Sequence, residues 1–81
     1  MSYVVDVIHP HRLSKQQTNV LVGLANAFSV KQIGKALAIS DETVAKHCRV
    51  IYERMEVDQV RGDKRMYAVL KAISEGIIAI K

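Results

Sequence analysis

Residues 29–55 read SVKQIGKALAISDETVAKHCRVIYERM, and this stretch decides the fold. Ser29, with Gln32 three positions on, has the spacing of a capping box, in which the serine oxygen accepts from a free backbone N–H and the glutamine side chain answers. It opens a short helix from Val30 to Leu37 with Ile33 and Leu37 inward. Ala38-Ile39-Ser40 is a tight joint, and Ser40 caps a second helix over about residues 41–55, with Asp41 and Glu42 well placed against the helix dipole. Val44, Cys48 (or His47), Ile51 and Met55 form its apolar stripe, while Lys46, Arg49 and Glu53 lie off it. Gly34 supplies the small residue needed where the two helices come closest, leaving Ile39 and Val44 to pack between them. A short helix, a tight turn and a second helix with a charged outer face describe a helix-turn-helix. Such a geometry needs the outer face of the second helix to enter the major groove and offer donors to base edges. Lys46 and Arg49, three apart, project from neighbouring positions of that face.

Upstream, Ser14 and Gln17 repeat the capping box and open a helix with Leu21, Leu24, Ala25 and Phe28 on one face. Residues 1–12 are an apolar lead-in ending at His9-Pro10-His11. Its β-branched residues and the proline favour an extended arm or short strand over a helix. Downstream, a polar stretch from Glu56 to Asp63 breaks the pattern. A fourth helix is expected from about Lys64 to Glu75, with Met66, Val69, Leu70 and Ile73 on one side and Gly76 as its C-cap. The expectation is an all-α, four-helix domain over residues 13–81, preceded by the arm.

The 81 residues allow one domain with one modest core, and 49% hydrophobic with 25% charged residues is the balance of a globular chain. No apolar run is long enough to span a bilayer, and the N-terminus lacks the pattern of a signal peptide, so no membrane partner is expected and the cytoplasm is the expected compartment. Cys48 is the single cysteine, which excludes an internal disulfide and leaves a cysteine-based zinc site without ligands. His9 and His11 lack a third ligand, so no metal and no cofactor is expected. There is no glycine-rich phosphate loop, no paired carboxylates and no nucleophile with an assigned base, and no enzyme is expected. A net charge of +4 favours a polyanionic partner.

The run Leu13-Ser14, Val20-Leu21, Leu24-Ala25, Ser29, Lys31, Ile33, Leu37, Ile39-Ser40, Thr43-Val44, His47, Ile51-Tyr52, Arg54-Met55 and Val57, resumed at Arg65, Ala68-Val69, Ala72 and Gly76-Ile77-Ile78, resembles the LuxR/FixJ/GerE-type (NarL-like) helix-turn-helix DNA-binding domain. The resemblance covers about residues 13–78. It implies four helices, the second and third forming the reading unit, and a transcriptional regulator that binds double-stranded DNA as a homodimer through its fourth helix. By position, Ala45, Lys46 and Arg49 fall where such domains meet base edges. Ser29, Lys31 and Thr43 fall near the phosphate backbone, and His47 is grouped with them. Met66, Val69, Leu70, Ile73 and Ile77 form the expected dimerisation set. The chain departs from the pattern at Ala45, where a basic residue is usual, at Gln16 and Gln17, at Ala27 and Val30, and in a longer connection between Val57 and Arg65.

Each of these residues has a plainer reading. Lys46 and Arg49 could be a solvated helix face, and His47 a packed or capping histidine. Arg61, Lys64 and Arg65 could touch phosphates, although solubility explains them almost as well. Ile73, Ile77, Ile78 and Ile80 could be core, but with Val4, Val5, Val7 and Ile8 they exceed what so small a domain readily buries, which again favours a dimer; the arm packing on the C-terminal isoleucines is a further arrangement. The length leaves no room for a receiver or small-molecule-binding domain, so a stand-alone regulator is expected. Two other functions fit the residues: a protein-interaction module that pairs with another regulator or with RNA polymerase, and a detached promoter-recognition region of a sigma-type factor.

Overall fold

The computed structural model describes residues 5–7 and 13–80. Four helices follow in order, α1 (Lys15–Ala25), α2 (Val30–Leu37), α3 (Asp41–Arg54) and α4 (Lys64–Ser74). A short strand stands at each end, β1 (Val5–Val7) and β2 (Ile78–Ile80). The strands pair antiparallel with Val5 opposite Ile80 and Val7 opposite Ile78. The expected extended arm is thus a strand over part of its length, joined to a C-terminal strand that periodicity did not reveal. His9 and His11 lie outside the described residues, as do the side chains of Val4, Val5, Val7, Ile8 and Ile80.

The helix starts follow the serine spacing. Gln17 and Gln32 donate their backbone N–H groups to the Oγ of Ser14 and Ser29 at 3.1 Å, and the two glutamine Oε1 atoms accept from the serine N–H groups at 2.9 and 2.8 Å. Two orphan donors are satisfied at each end, which offsets the cost of starting short helices. Asp63 starts α4 in the same way, accepting the Met66 N–H at 3.2 Å.

The helix ends share a device that composition hides. After α1, α3 and α4 the chain reverses through a left-handed residue: Ala27, Glu56 and Gly76. The Phe28, Val57 and Ile77 N–H groups then reach back to the carbonyls of Gly23, Tyr52 and Ala72 at 2.8–3.0 Å, as in a Schellman motif. Ala38, at φ 57°, turns the end of α2 similarly. Of the four residues only Gly76 is free of the Cβ penalty at positive φ.

The core forms where α1, α3 and α4 meet. Val20, Leu21, Ile33, Val44, Ile51, Met55, Ile77 and Ile78 are fully buried. On α3 the structure selects Cys48 rather than His47 for the apolar stripe. On α4 the residues turned fully inward are Ala68 and Ala72, while Met66, Tyr67 and Leu70 face outward. Small residues there let α4 approach the other helices closely. α2 touches its neighbours through two glycines: a Cβ on Gly23 of α1 would lie 2.7 Å from Ile33 Cγ1, and one on Gly34 would lie 2.8 Å from the Ile39 carbonyl oxygen. Because the second obstacle is backbone, Gly34→Ala is expected to destabilise the fold by about 1–3 kcal/mol. Thermal unfolding followed by circular dichroism reads this as a lowered Tm; an unchanged Tm would show that the joint can open without penalty.

Candidate nucleic-acid interface

α3 presents two opposed faces. Val44, Cys48 and Ile51 point into the core, with Met55 capping the helix end. Glu42, Ala45, Lys46, Arg49 and Glu53 form an exposed stripe at helical spacing. The three base-facing candidates therefore share one open surface. Neither Lys46 nor Arg49 makes an ion pair among the described residues, and the same holds for Lys31 on α2. Unpaired cations on a rigid helix keep their full charge available to an anion, whereas a paired cation must first give up its carboxylate.

The joint fixes where that stripe points. Ile39 donates its N–H to the Gly34 carbonyl at 2.9 Å. Ser40 caps α3 by accepting the Thr43 N–H at 3.1 Å, and the two hydroxyls are hydrogen-bonded at 2.8 Å. Thr43 is half-buried and held by the cap, so its hydroxyl is oriented rather than free. Ser29 is exposed but occupied by its capping box. The first-turn N–H groups of Val30 and Lys31, which have no intrahelical partner, are the donors that α2 retains for an anion. His47 is half-buried beside Lys46.

On α4, Met66 and Leu70 are 50% and 54% exposed, with Tyr67 at 44%, so three large apolar side chains face outward from one helix. Val69 and Ile73 are half-buried and pack on the core beside them. Ile77 corrects the expected dimerisation set. It is 1% exposed, because the turn at Gly76 folds it back over the end of α4, and it has no surface to offer a second chain.

Sequence reasoning missed the contact that ties α4 to the reading unit. The Arg65 guanidinium donates to the Phe28 carbonyl oxygen, across 37 positions of sequence, and it also sits near Cys48 and Tyr52. A side chain reaching a turn carbonyl at that separation leaves no periodic signal. Burial pushes the Cys48 thiol up, against the smaller opposing influence of Arg65 and a hydrogen bond with Tyr52. Burial also raises Tyr52, reinforced by its neighbour Cys48. A raised thiol is a poor nucleophile near neutrality, and Cys48 is a packing residue. No group of three or more metal-ligating side chains exists among the described residues, and no helix among them is long and apolar enough to cross a membrane.

A capped helix pair joined by a three-residue turn, with the exposed cations Lys46 and Arg49 on the outer face of the second helix, defines a helix-turn-helix domain of the DNA-binding type. Residues 11–62 match the GerE family, described as bacterial regulatory proteins, luxR family, and the chain belongs to that family. It is 31% identical over 71 residues to the transcriptional regulatory protein DegU of Brevibacillus brevis. That alignment takes in 88% of this chain and 28% of the relative, so the chain spans under a third of the length of that protein. No solved structure matches it significantly.

Cys48 and Tyr52 also set an alkaline limit. Both hold their protons more tightly folded than unfolded, so above the ordinary titration range of a thiol the unfolded chain carries fewer protons and gains on the native state. Stability is expected to be intact below that range and to fall as pH rises through it. Denaturant melts from pH 7 to 11 check this, and Tyr52→Phe should flatten the fall; a slope unchanged in that variant would remove Tyr52 from the account.

Proposed function

We propose that this chain binds double-stranded DNA in a sequence-specific manner with α3 in the major groove, and that it regulates transcription as a homodimer paired through α4. The observation that carries the reading is the exposed stripe of Ala45, Lys46 and Arg49, with neither cation ion-paired among the described residues, on a helix whose start is locked by Ser40 and whose other face is core. A helix of this width fits the major groove, and Arg and Lys donors there address guanine, while the Ala45 methyl can pack against the methyl of thymine. Lys31 and the open N–H groups at the start of α2 supply phosphate contacts that set register without reading sequence. The relative DegU is a transcriptional regulatory protein, which agrees with this role.

Met66, Val69, Leu70 and Ile73 are the residues through which α4 would pair, and a two-fold dimer implies an operator of two half-sites. The same outward Met66, Tyr67 and Leu70 also favour a second reading, in which the chain docks on another regulator or on RNA polymerase.

Selection of bound fragments from random duplexes should yield a defined half-site. Arg49→Ala and Lys46→Ala should each lose about 1–3 kcal/mol of binding to it, with relaxed preference at particular base pairs. Unchanged affinity and selectivity in both variants would refute the assigned reading face, and sequence-blind binding by the wild type would favour the docking function. Leu70→Glu should shift the sedimentation mass from dimer to monomer and weaken binding to the two-half-site duplex far more than to a single half-site. A wild-type chain that sediments as a monomer, on and off DNA, would refute pairing through α4.

A further inference from the structure

The DNA-binding reading leaves unused a groove of about 320 Å³ between α3 and the start of α4. Its walls include Val30, Ala45, Arg49, Tyr52, Lys64 and Arg65, and no carboxylate lines it. Val30, Ala45 and Arg49 belong to the two helices proposed to seat on the duplex, so the groove is continuous with that surface. We infer that this groove is a further phosphate-binding edge of the interface, and that Lys64 is the side chain that contacts the sugar-phosphate backbone there. The inference rests on the DNA-binding function proposed above.

Three features single out Lys64 among the cations of the groove. Arg49 belongs to the stripe assigned to base edges. Arg65 is already engaged with the Phe28 carbonyl, where it holds α4 against the turn after α1. Lys64 is half-buried and makes no ion pair among the described residues. It forms no ion pair with its neighbour Asp63, whose carboxylate accepts the Met66 N–H and which lines the opposite groove with Met66 and Leu70. A lysine on a flexible stem suits a phosphate, which asks for charge more than for a fixed fork of donors.

The test is a fluorescence-anisotropy titration of the full chain with its selected duplex and with a scrambled duplex, at about 50 to 200 mM salt. Lys64→Gln should weaken both duplexes by the same factor, since a phosphate contact carries no sequence information. Losing one contact lowers the slope of log K against log salt by about 0.9, so the wild-type advantage should shrink about 3.5-fold over that fourfold range of salt. Lys64→Arg should keep the wild-type slope. Lys71→Gln, on the same helix but paired with Glu56 at 3.7 Å, should leave it unaltered. An unchanged slope in Lys64→Gln, or an equal drop in Lys71→Gln, would overturn the assignment while leaving the reading face intact. If the wild type itself showed no salt-dependent DNA binding, the fault would lie in the proposed function. Matching melting temperatures for the variants separate these outcomes from misfolding.

Discussion

A single hydrogen atom on Gly34 sets the distance between α2 and α3. Any larger group would press on the Ile39 carbonyl and reach Asp41 Oδ1 at 3.3 Å and Val44 Cγ2 at 3.5 Å, the three atoms that define the joint and the first turn of α3. α2 is held equally closely from its other side, where Gly23 admits the side chain of Ile33. An eight-residue helix has little stability of its own, and α2 exists because its neighbours grip it on both sides. The direction in which α3 presents Lys46 and Arg49 is inherited from that grip.

Around this joint the chain accepts local strain for tight turns. Ala27, Ala38 and Glu56 occupy a left-handed conformation that costs an L-residue of the order of 1–2 kcal/mol. Each is followed by an N–H that returns to the preceding helix and an apolar residue that packs: Phe28, Ile39 and Val57. Burial of those residues and closure of the helix carbonyls offset the backbone penalty. The β1–β2 ribbon does the corresponding work at the ends of the chain, since β2 continues directly from the buried Ile77 and Ile78.

The parts of the molecule that were legible in the sequence are those whose cause is local. Serine and glutamine three apart announce capping boxes, and α1 and α2 begin where those signals stand, while Ser40 alone marks the start of α3. Gly34, together with Ile39 and Val44, could be assigned to the joint because the two helices are separated by only three residues. Where the cause is distant, the pattern misled or was silent. The large apolar residues of α4 suggested its important side, yet Ala68 and Ala72 are the ones fully buried, because only small side chains let α4 lie against the other helices. Ile77 looked available for pairing until the turn at Gly76 folded it inward. The apolar excess at the two ends suggested the arm against the C-terminal isoleucines, but not the antiparallel register of β1 with β2, and the engagement of Arg65 with the Phe28 carbonyl joins segments whose proximity no window of sequence can express.

The charge on α3 bears on how such a surface would discriminate. Lys46 and Arg49 are flanked along the same stripe by Glu42 on one side and Glu53 on the other. Carboxylates at both ends repel phosphates, so a duplex gains from this helix only when its bases, and not its backbone, lie against the middle of the stripe. That arrangement raises the penalty of misplaced docking, which is how specificity is gained without greater affinity. It also removes from α3 the phosphate contacts that usually supply most of the binding free energy. Those contacts must come from the flanks, where Lys31 stands on α2 and Lys64 at the start of α4, both without ion pairs among the described residues. On the function proposed here, selection of sequence and attraction to the backbone are therefore carried by different helices, and the Gly34 joint and the Arg65 anchor keep the two in register.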